Sequence, residues 1–114
     1  IFDDNNCRGE AIDSVVCAGS VISGAQIKNS LLSTRVTVER HSVLDHCVVL
    51  PNVIIGKYCK LKNVLVVEDC IIPDGFKIGY DREVDNQYYE ISENGVTLVT
   101  QEMIDNSIKN LLAA

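Results

Sequence analysis

Two histidines, His41 and His46, lie five residues apart, and an imidazole at either position could act as a general base or a metal ligand. A three-histidine metal centre needs one more imidazole than the chain contains, so only sharing between copies would complete it. Their ordinary role is to face solvent or fill a corner. Five cysteines (Cys7, Cys17, Cys47, Cys59 and Cys70) form no C-x-x-C pair, and the odd number fits neither a closed disulfide framework nor a four-ligand zinc site. Reduced thiols in a cytoplasmic setting are expected, with Cys59 and Cys70 as packed core groups. Arg35, Arg40, Lys57, Lys60 and Lys62 fall between the repeated apolar positions and should project outward, where they could bind a phosphate-bearing ligand by charge and hydrogen bonding. No phosphate-cradling glycine loop or activated-serine pattern is present, so no catalytic residue and no metal ligand is assigned.

The elements that must position these groups are bounded by composition. A chain of 114 residues is one domain's worth of polymer, too short for a two-domain enzyme. Its net charge of −6 argues against nucleic acid and acidic membrane surfaces as partners. The richest apolar run, VVLPNVII at 48–55, is broken by Pro51 and Asn52, well short of a spanning helix. The chain begins at Ile1 without the basic and apolar segments of a secretion signal, and reads as a piece trimmed from something larger. Charge is uneven along it: residues 1–79 carry a net −1 and residues 80–114 a net −5. Two units are expected, a coil over 1–79 (regular from about 15) and an acidic loop, hairpin and helix over 80–114 that cap it.

Within the first unit the chain repeats every seventeen residues. Rows begun at Val15 align Val15, Leu32, Val49 and Val66; then Val21, Val38, Ile55 and Ile72; then Ile27, Leu44, Leu61 and Ile78. Four residues after the first two anchors come Gly19, Val36, Val53, Cys70 and Ala25, Ser42, Cys59, Phe76. Eighteen of these twenty positions are hydrophobic, where the overall 46% would give about nine, so they are assigned to the interior. In the first row Val16 and Ile22 could replace Val15 and Val21. On the third side, Leu31, Val48 and Leu65 compete with Ser30, Cys47 and Val64 for the inward place. Anchors six, six and five residues apart cannot hold one face of a 3.6-residue helix, whereas Val, Ile and Thr suit strands. Three strands per row, with rows stacked about 4.8 Å apart, make a triangular parallel β-coil about 19 Å tall. Gly56, Gly75, Gly79, Pro51 and Pro73 fall at its corners.

Beyond the loop YDREVDN, Asn94-Gly95 sits between two β-prone runs and predicts a hairpin around 88–99. Thr100 then caps a helix from Gln101 whose apolar face is Met103, Ile104, Ile108, Leu111 and Leu112. That face is expected to pack on the coil's last row.

The strings RGEAIDSVV, GSVISGAQI, SLLSTRVTV, LPNVIIGKYCKLKNV, DCIIPDGFKIG and GVTLVTQEM, in that order, closely resemble the carboxy-terminal part of bacterial glucose-1-phosphate adenylyltransferase (ADP-glucose pyrophosphorylase). The resemblance spans about Arg8 to Met103 and implies an all-β fold, a left-handed parallel β-helix of hexapeptide repeats with about four coils. It further implies a parent enzyme that makes ADP-glucose and pyrophosphate from ATP and glucose 1-phosphate for glycogen synthesis. Such enzymes are homotetramers controlled by sugar phosphates and AMP. Their glycine-rich nucleotide loop and metal-binding aspartates belong to an amino-terminal catalytic domain absent here. The segment is thus expected to need no cofactor, although the parent would use Mg, and to serve assembly and regulation. Its implied partners are that catalytic domain, further copies of itself, and a sugar-phosphate or AMP effector. Some members carry basic residues where this chain has Glu68, Gln101 and Asp105, which implies altered or absent regulation. The surviving candidates for effector phosphate are Arg35, Lys57, Lys60 and Lys62. The rival from another class is a stand-alone trimeric hexapeptide-repeat acyltransferase using His41 or His46; a third possibility is a cassette that only dimerises through its coil.

Overall fold

Each seventeen-residue row turns three corners, and in a computed structural model the segments between corners are strands of three sheets, here called faces A, B and C. The structure describes residues 10–12 and 14–113, and side chains from 14 to 110; Cys7 and Arg8 lie outside these. A face-A strand, β1 (Glu10–Ile12), precedes row one, which is β2 (Val15–Val16), β3 (Val21–Ile22) and β4 (Gln26–Lys28). Row two is β5 (Leu31–Leu32), β6 (Thr37–Val38) and β7 (Val43–Asp45), and row three β8 (Val48–Val49), β9 (Ile54–Ile55) and β10 (Lys60–Lys62). Row four is β11 (Val64–Val66), β12 (Ile71–Ile72) and β13 (Lys77–Ile78). Each row's strands belong in turn to faces B, C and A, all pair in parallel, and the result is a β-solenoid of about four turns.

Three aliphatic columns fill the interior: Leu32, Val49, Val66 and Val99 from face B; Ile22, Val38, Ile55 and Ile72 from face C; Ile27, Leu44, Leu61 and Ile78 from face A. None is more than 1% exposed. On the third side the inward places belong to Ser30, Cys47 and Val64, while Leu31 and Val48 point out. A serine can be inward there because Ser30 Oγ donates to the Lys28 carbonyl (2.7 Å) and accepts from Cys47 N (3.0 Å), bridging two rows. Ser42 repeats the device, donating to the Gly56 carbonyl (2.6 Å) and accepting from Cys59 N (3.1 Å).

Row one corrects the sequence register. Val15 and Val21 are more than half exposed and Gly19 is exposed, whereas Ile22 and Ser20 are buried and Val16 is half-buried. The cause is one missing corner residue: Ser23-Gly24 stand where row two has Glu39-Arg40-His41. Thr37 therefore pairs sixteen residues after Val21, while Val43 pairs seventeen after Gln26. Phe76, expected inward, is half-buried against the core.

The corners repeat a positive-φ residue in register. Arg35, Asn52 and Asp69 (φ 57 to 64°) stack at the B–C corner, His41 and Tyr58 (63° and 59°) with Gly75 at the C–A corner, and Asn29, His46 and Asn63 (48 to 54°) at the A–B corner. Polar residues and glycine tolerate this left-handed backbone best, which accounts for much of what the sequence places there.

After β13 the chain leaves the coil at the A–B corner. The stretch read as an acidic loop folds instead as helix α1 (Arg82–Tyr88): Asp81 caps it by accepting from Glu83 N (3.1 Å) and Val84 N (3.4 Å), with Glu83 and Asp85 at its positive end. The hairpin follows, β14 (Glu90–Ile91) antiparallel to β15 (Thr97–Val99), closed by a turn at Ser92–Gly95. Strand β15 also lies parallel on β11, so it is the fifth rung of face B. Thr100 then caps helix α2 (Gln101–Ala113), its Oγ1 accepting from Met103 N (3.3 Å). Ile104 is fully buried, and α2 covers β12 where a fifth face-C strand would run. Gln101 Oε1 accepts the β12 edge donor Ile71 N at 2.7 Å.

Candidate functional site

Outward residues of face A come from alternate positions of its strands. Register places Lys60 beside Lys77, and Asp45 between Lys28 and Lys62. All four lysines are exposed, and among the described residues none has a carboxylate within ion-pair distance. The face is therefore a rigid basic ladder in a chain of net negative charge, able to attract an anionic group. Lys60 and Lys62, two sequence candidates, belong to it. Lys57 is adjacent, at the C–A corner, where its backbone N donates to Asp74 Oδ1 (2.8 Å). Arg35 is not part of it: it sits at the B–C corner, the edge opposite face A, and its Nε donates to Asn52 Oδ1 (2.7 Å). Sequence reasoning passed over Lys28 and Lys77, although the seventeen-residue spacing shows both: Lys77 is one row beyond Lys60, and Lys28 two rows before Lys62.

Where row four meets the detour, Lys62, Asn63, Tyr80, Arg82 and Thr97 line a polar recess of about 250 Å³. Its floor is built by Gly79 and Asp85. Gly79 has φ 96°, and a Cβ on it would run into the Lys62 carbonyl oxygen, so only glycine lets the chain turn away here. Gly79 N donates to Asp85 Oδ2 at 2.8 Å. Asp85 is 2% exposed, and burial holds its carboxyl above the ordinary range, with the Gly79 donor opposing and the charge of Asp81 adding. Nothing in the sequence marked Asp85, since YDREVDN reads there as a solvated acidic loop. Across α1, Asp85 also borders a second recess of about 310 Å³ with Phe76, Lys77, Tyr88 and Tyr89.

The histidines occupy different corners and do not form a joint site. The His41 ring stacks on Tyr58 (centroids 4.9 Å apart, planes 16° from parallel) as part of the corner ladder. The exposed His46 ring has Nδ1 at 2.6 Å from Asp45 Oδ1. Burial pushes the Cys47 thiol up to about 11 and raises Cys59 and Cys70 as well, so these are packed thiols and not nucleophiles. Cys59 Sγ donates to the Pro73 carbonyl (3.1 Å), the place Ser42 Oγ takes one row earlier. Among the described residues no group of three His, Cys, Asp or Glu converges. No described helix is long and apolar enough to cross a membrane. Gln101 is committed to the β12 edge and to Asp105, with Nε2 donating to Asp105 Oδ1 (3.0 Å). The negative charges of Asp69 and Asp105 both bear on Cys70 close by, so this corner repels anions.

Residues 1–99 match the model of the GlmU-like, C-terminal hexapeptide family. The chain belongs to that family. It is also similar to proteins named glucose-1-phosphate adenylyltransferase: 44% identical over 108 residues to that of Nitrosospira multiformis, 44% over 105 to that of a Jannaschia species, and 45% over 105 to that of Shewanella putrefaciens. These alignments cover 91 to 95% of this hexapeptide chain but 25% of each relative, the C-terminal quarter. The chain thus spans about a quarter of the length of the relatives it matches.

Proposed function

We propose that the chain is a regulatory and assembly module of an ADP-glucose-forming nucleotidyltransferase, which converts ATP and glucose 1-phosphate to ADP-glucose and pyrophosphate in glycogen biosynthesis. The observation that carries this reading is the 44% identity confined to the C-terminal quarter of glucose-1-phosphate adenylyltransferases. A rigid column of aliphatic rungs that offers flat outer surfaces supports the same reading. Its partners would be a catalytic domain and further copies, in the cytoplasm. The anionic end of an allosteric effector, a sugar phosphate or AMP, would be drawn to Lys57, Lys60 and Lys62 and not to the Gln101–Asp105 corner; Arg35, on the opposite edge, would act separately.

The test uses the amino-terminal three quarters of the Nitrosospira multiformis enzyme, made without its C-terminal quarter. The chain alone should form no ADP-glucose from ATP and glucose 1-phosphate; mixed with that portion it should co-elute and change its response to AMP or sugar phosphate. ADP-glucose synthesis by the chain alone, or no association and no change in response, overturns the proposal.

One observation favours a second reading, a stand-alone acyltransferase. The exposed His46 ring is held by Asp45, the arrangement that orients a general base. Acetyl-CoA consumption lost on His46→Ala would establish it; no consumption dismisses it.

A further inference from the structure

The C–A corner carries a ladder of its own, Gly24, His41, Tyr58 and Gly75, one residue per row and all at positive φ. The backbone repeats with it: His41 N donates to the Gly24 carbonyl (3.1 Å), Tyr58 N to the Arg40 carbonyl (3.2 Å) and Gly75 N to the Lys57 carbonyl (2.8 Å). The two middle members are rings with centroids 4.9 Å apart, close to the spacing of the rows, so the stack runs along the coil axis. Tyr58 therefore turns its second face toward the level of Gly75. The glycines at the two ends are not equivalent. A Cβ on Gly24 would meet Arg40 Cβ at 3.6 Å, whereas one on Gly75 would meet nothing within 4 Å. Tyr58 is 59% exposed, and the slot beside its ring is one row deep, the depth that a stacked planar group needs.

This slot adjoins the recess of about 310 Å³, because Gly75, Phe76 and Lys77 line that recess together with Val84 and Tyr88 of α1. The same wall holds a free backbone donor. The Phe76 carbonyl accepts from Lys60 N (2.8 Å), so strand alternation turns the Lys77 N–H away from β10, toward where a fifth rung of face A would run. Elsewhere the edge of row four is satisfied: β15 pairs with β11, Gln101 Oε1 accepts from Ile71 N, Pro73 has no N–H, and Asp85 Oδ2 accepts from Gly79 N. Among the described residues the Lys77 N–H has no partner. Positive charge flanks it, from the exposed Lys77 side chain and from Lys57 next to Tyr58. The local carboxylates are engaged, Asp74 with Lys57 N and Asp85 with Gly79 N.

We propose that this corner binds a small planar aromatic anion, its ring stacked on Tyr58 over Gly75 and its carboxylate accepting from the Lys77 N–H. Two residues of extended chain separate Gly75 from Lys77, about 6.6 Å, so ring and carboxylate should be joined by a short saturated arm. An arylalkanoate such as 3-phenylpropanoate has that reach. The site does not depend on the chain's being an assembly module, since every group in it belongs to this chain. One stack and one charge-assisted hydrogen bond on an open surface give a dissociation constant on the order of a millimolar.

Titration of the nitrogen-15-labelled whole chain with 3-phenylpropanoate, followed by its amide cross-peaks, tests this. Saturable shifts should centre on Tyr58, Gly75, Phe76 and Lys77; shifts centred elsewhere, or none up to about 20 mM, overturn the site. 3-Cyclohexylpropanoate, equal in charge but not planar, should bind at least about fivefold more weakly, and equal binding overturns the stack. The uncharged 3-phenylpropanamide should also bind at least about fivefold more weakly, and equal binding overturns the anion contact. Tyr58→Leu changes only an exposed side chain and should weaken binding about tenfold. Gly75→Tyr should extend the ladder into the slot and abolish binding; His41 and Tyr58 already hold rings at this backbone conformation, so the corner accepts one. Undiminished binding by either variant overturns the proposal.

Discussion

Rows two to four and row five close the same triangular coil by different means. In the regular rows the places are set by column: an aliphatic side chain in each strand, before most of them a valine, cysteine or serine, with Phe76 the exception in row four, and a positive-φ residue at each corner. Row five has one strand, β15, and reaches it only after α1 and β14; a helix stands in for its second strand. Its position depends on particular polar contacts, Gly79 N to Asp85, Gln101 to Ile71 N, and the Tyr89 hydroxyl with Ser107. Repetition specifies by shared packing; the detour specifies by single hydrogen bonds and one obligatory glycine.

If so, the regular rows should be most sensitive to a charge in a column. Ile55→Asp buries an unpaired carboxylate and should cost more than about 4 kcal/mol, whereas Lys57→Ala, two residues on, should stay within about 0.5 kcal/mol. Similar urea midpoints for the two would break the inward assignment. Gly79→Ala strikes the detour: the new Cβ meets the Lys62 carbonyl in a backbone region costly to L residues, and a loss of about 3 kcal/mol is expected. Hydrogen exchange should then show residues 80–99 opening first, with rows two and three still protected.

Ser42→Ala probes the one polar device that the regular rows share. It leaves Cys59 N and the Gly56 carbonyl without their buried partner and should cost about 2 kcal/mol in thermal unfolding. The smallest effect is a pH slope. The Asp85 carboxyl binds its proton more tightly folded than unfolded, so its contribution to stability falls as pH rises from about 3.8 through the raised folded value. Asp85→Asn keeps an acceptor for Gly79 N and should flatten that fall, gaining on the unmodified chain toward neutral pH. Parallel melting-temperature curves for the two proteins would show that Asp85 is not held above its ordinary range.

Much of the coil could be read in advance because its information is repeated. Leu44, Leu61 and Ile78 each report the same column, so chance agreement is improbable. Row one could not be placed, because its shift depends on one absent corner residue, and Val15-Val16 and Val21-Ile22 each offer two aliphatics to choose from. The third side was ambiguous for a different reason: Ser30 and Cys47 look less apolar than Leu31 and Val48, yet each donates to a backbone carbonyl inside. Helix α1 was missed because DREVD reads as solvated charge, while its Asp81 cap becomes decisive only in three dimensions. The basic ladder of face A was implicit in the spacing and needed register to be seen; the recess above Asp85 needs a fold-back of seventeen residues that no local pattern announces.

The short corner at Ser23-Gly24 and the long excursion from Gly79 to Val96 together show where this architecture absorbs changes in length. One vertex has lost a residue and another has gained a helix and a strand, yet the columns on either side remain continuous. Vertices are therefore the ports through which such a protein can be edited, by deletion or by grafting, without rewriting its interior.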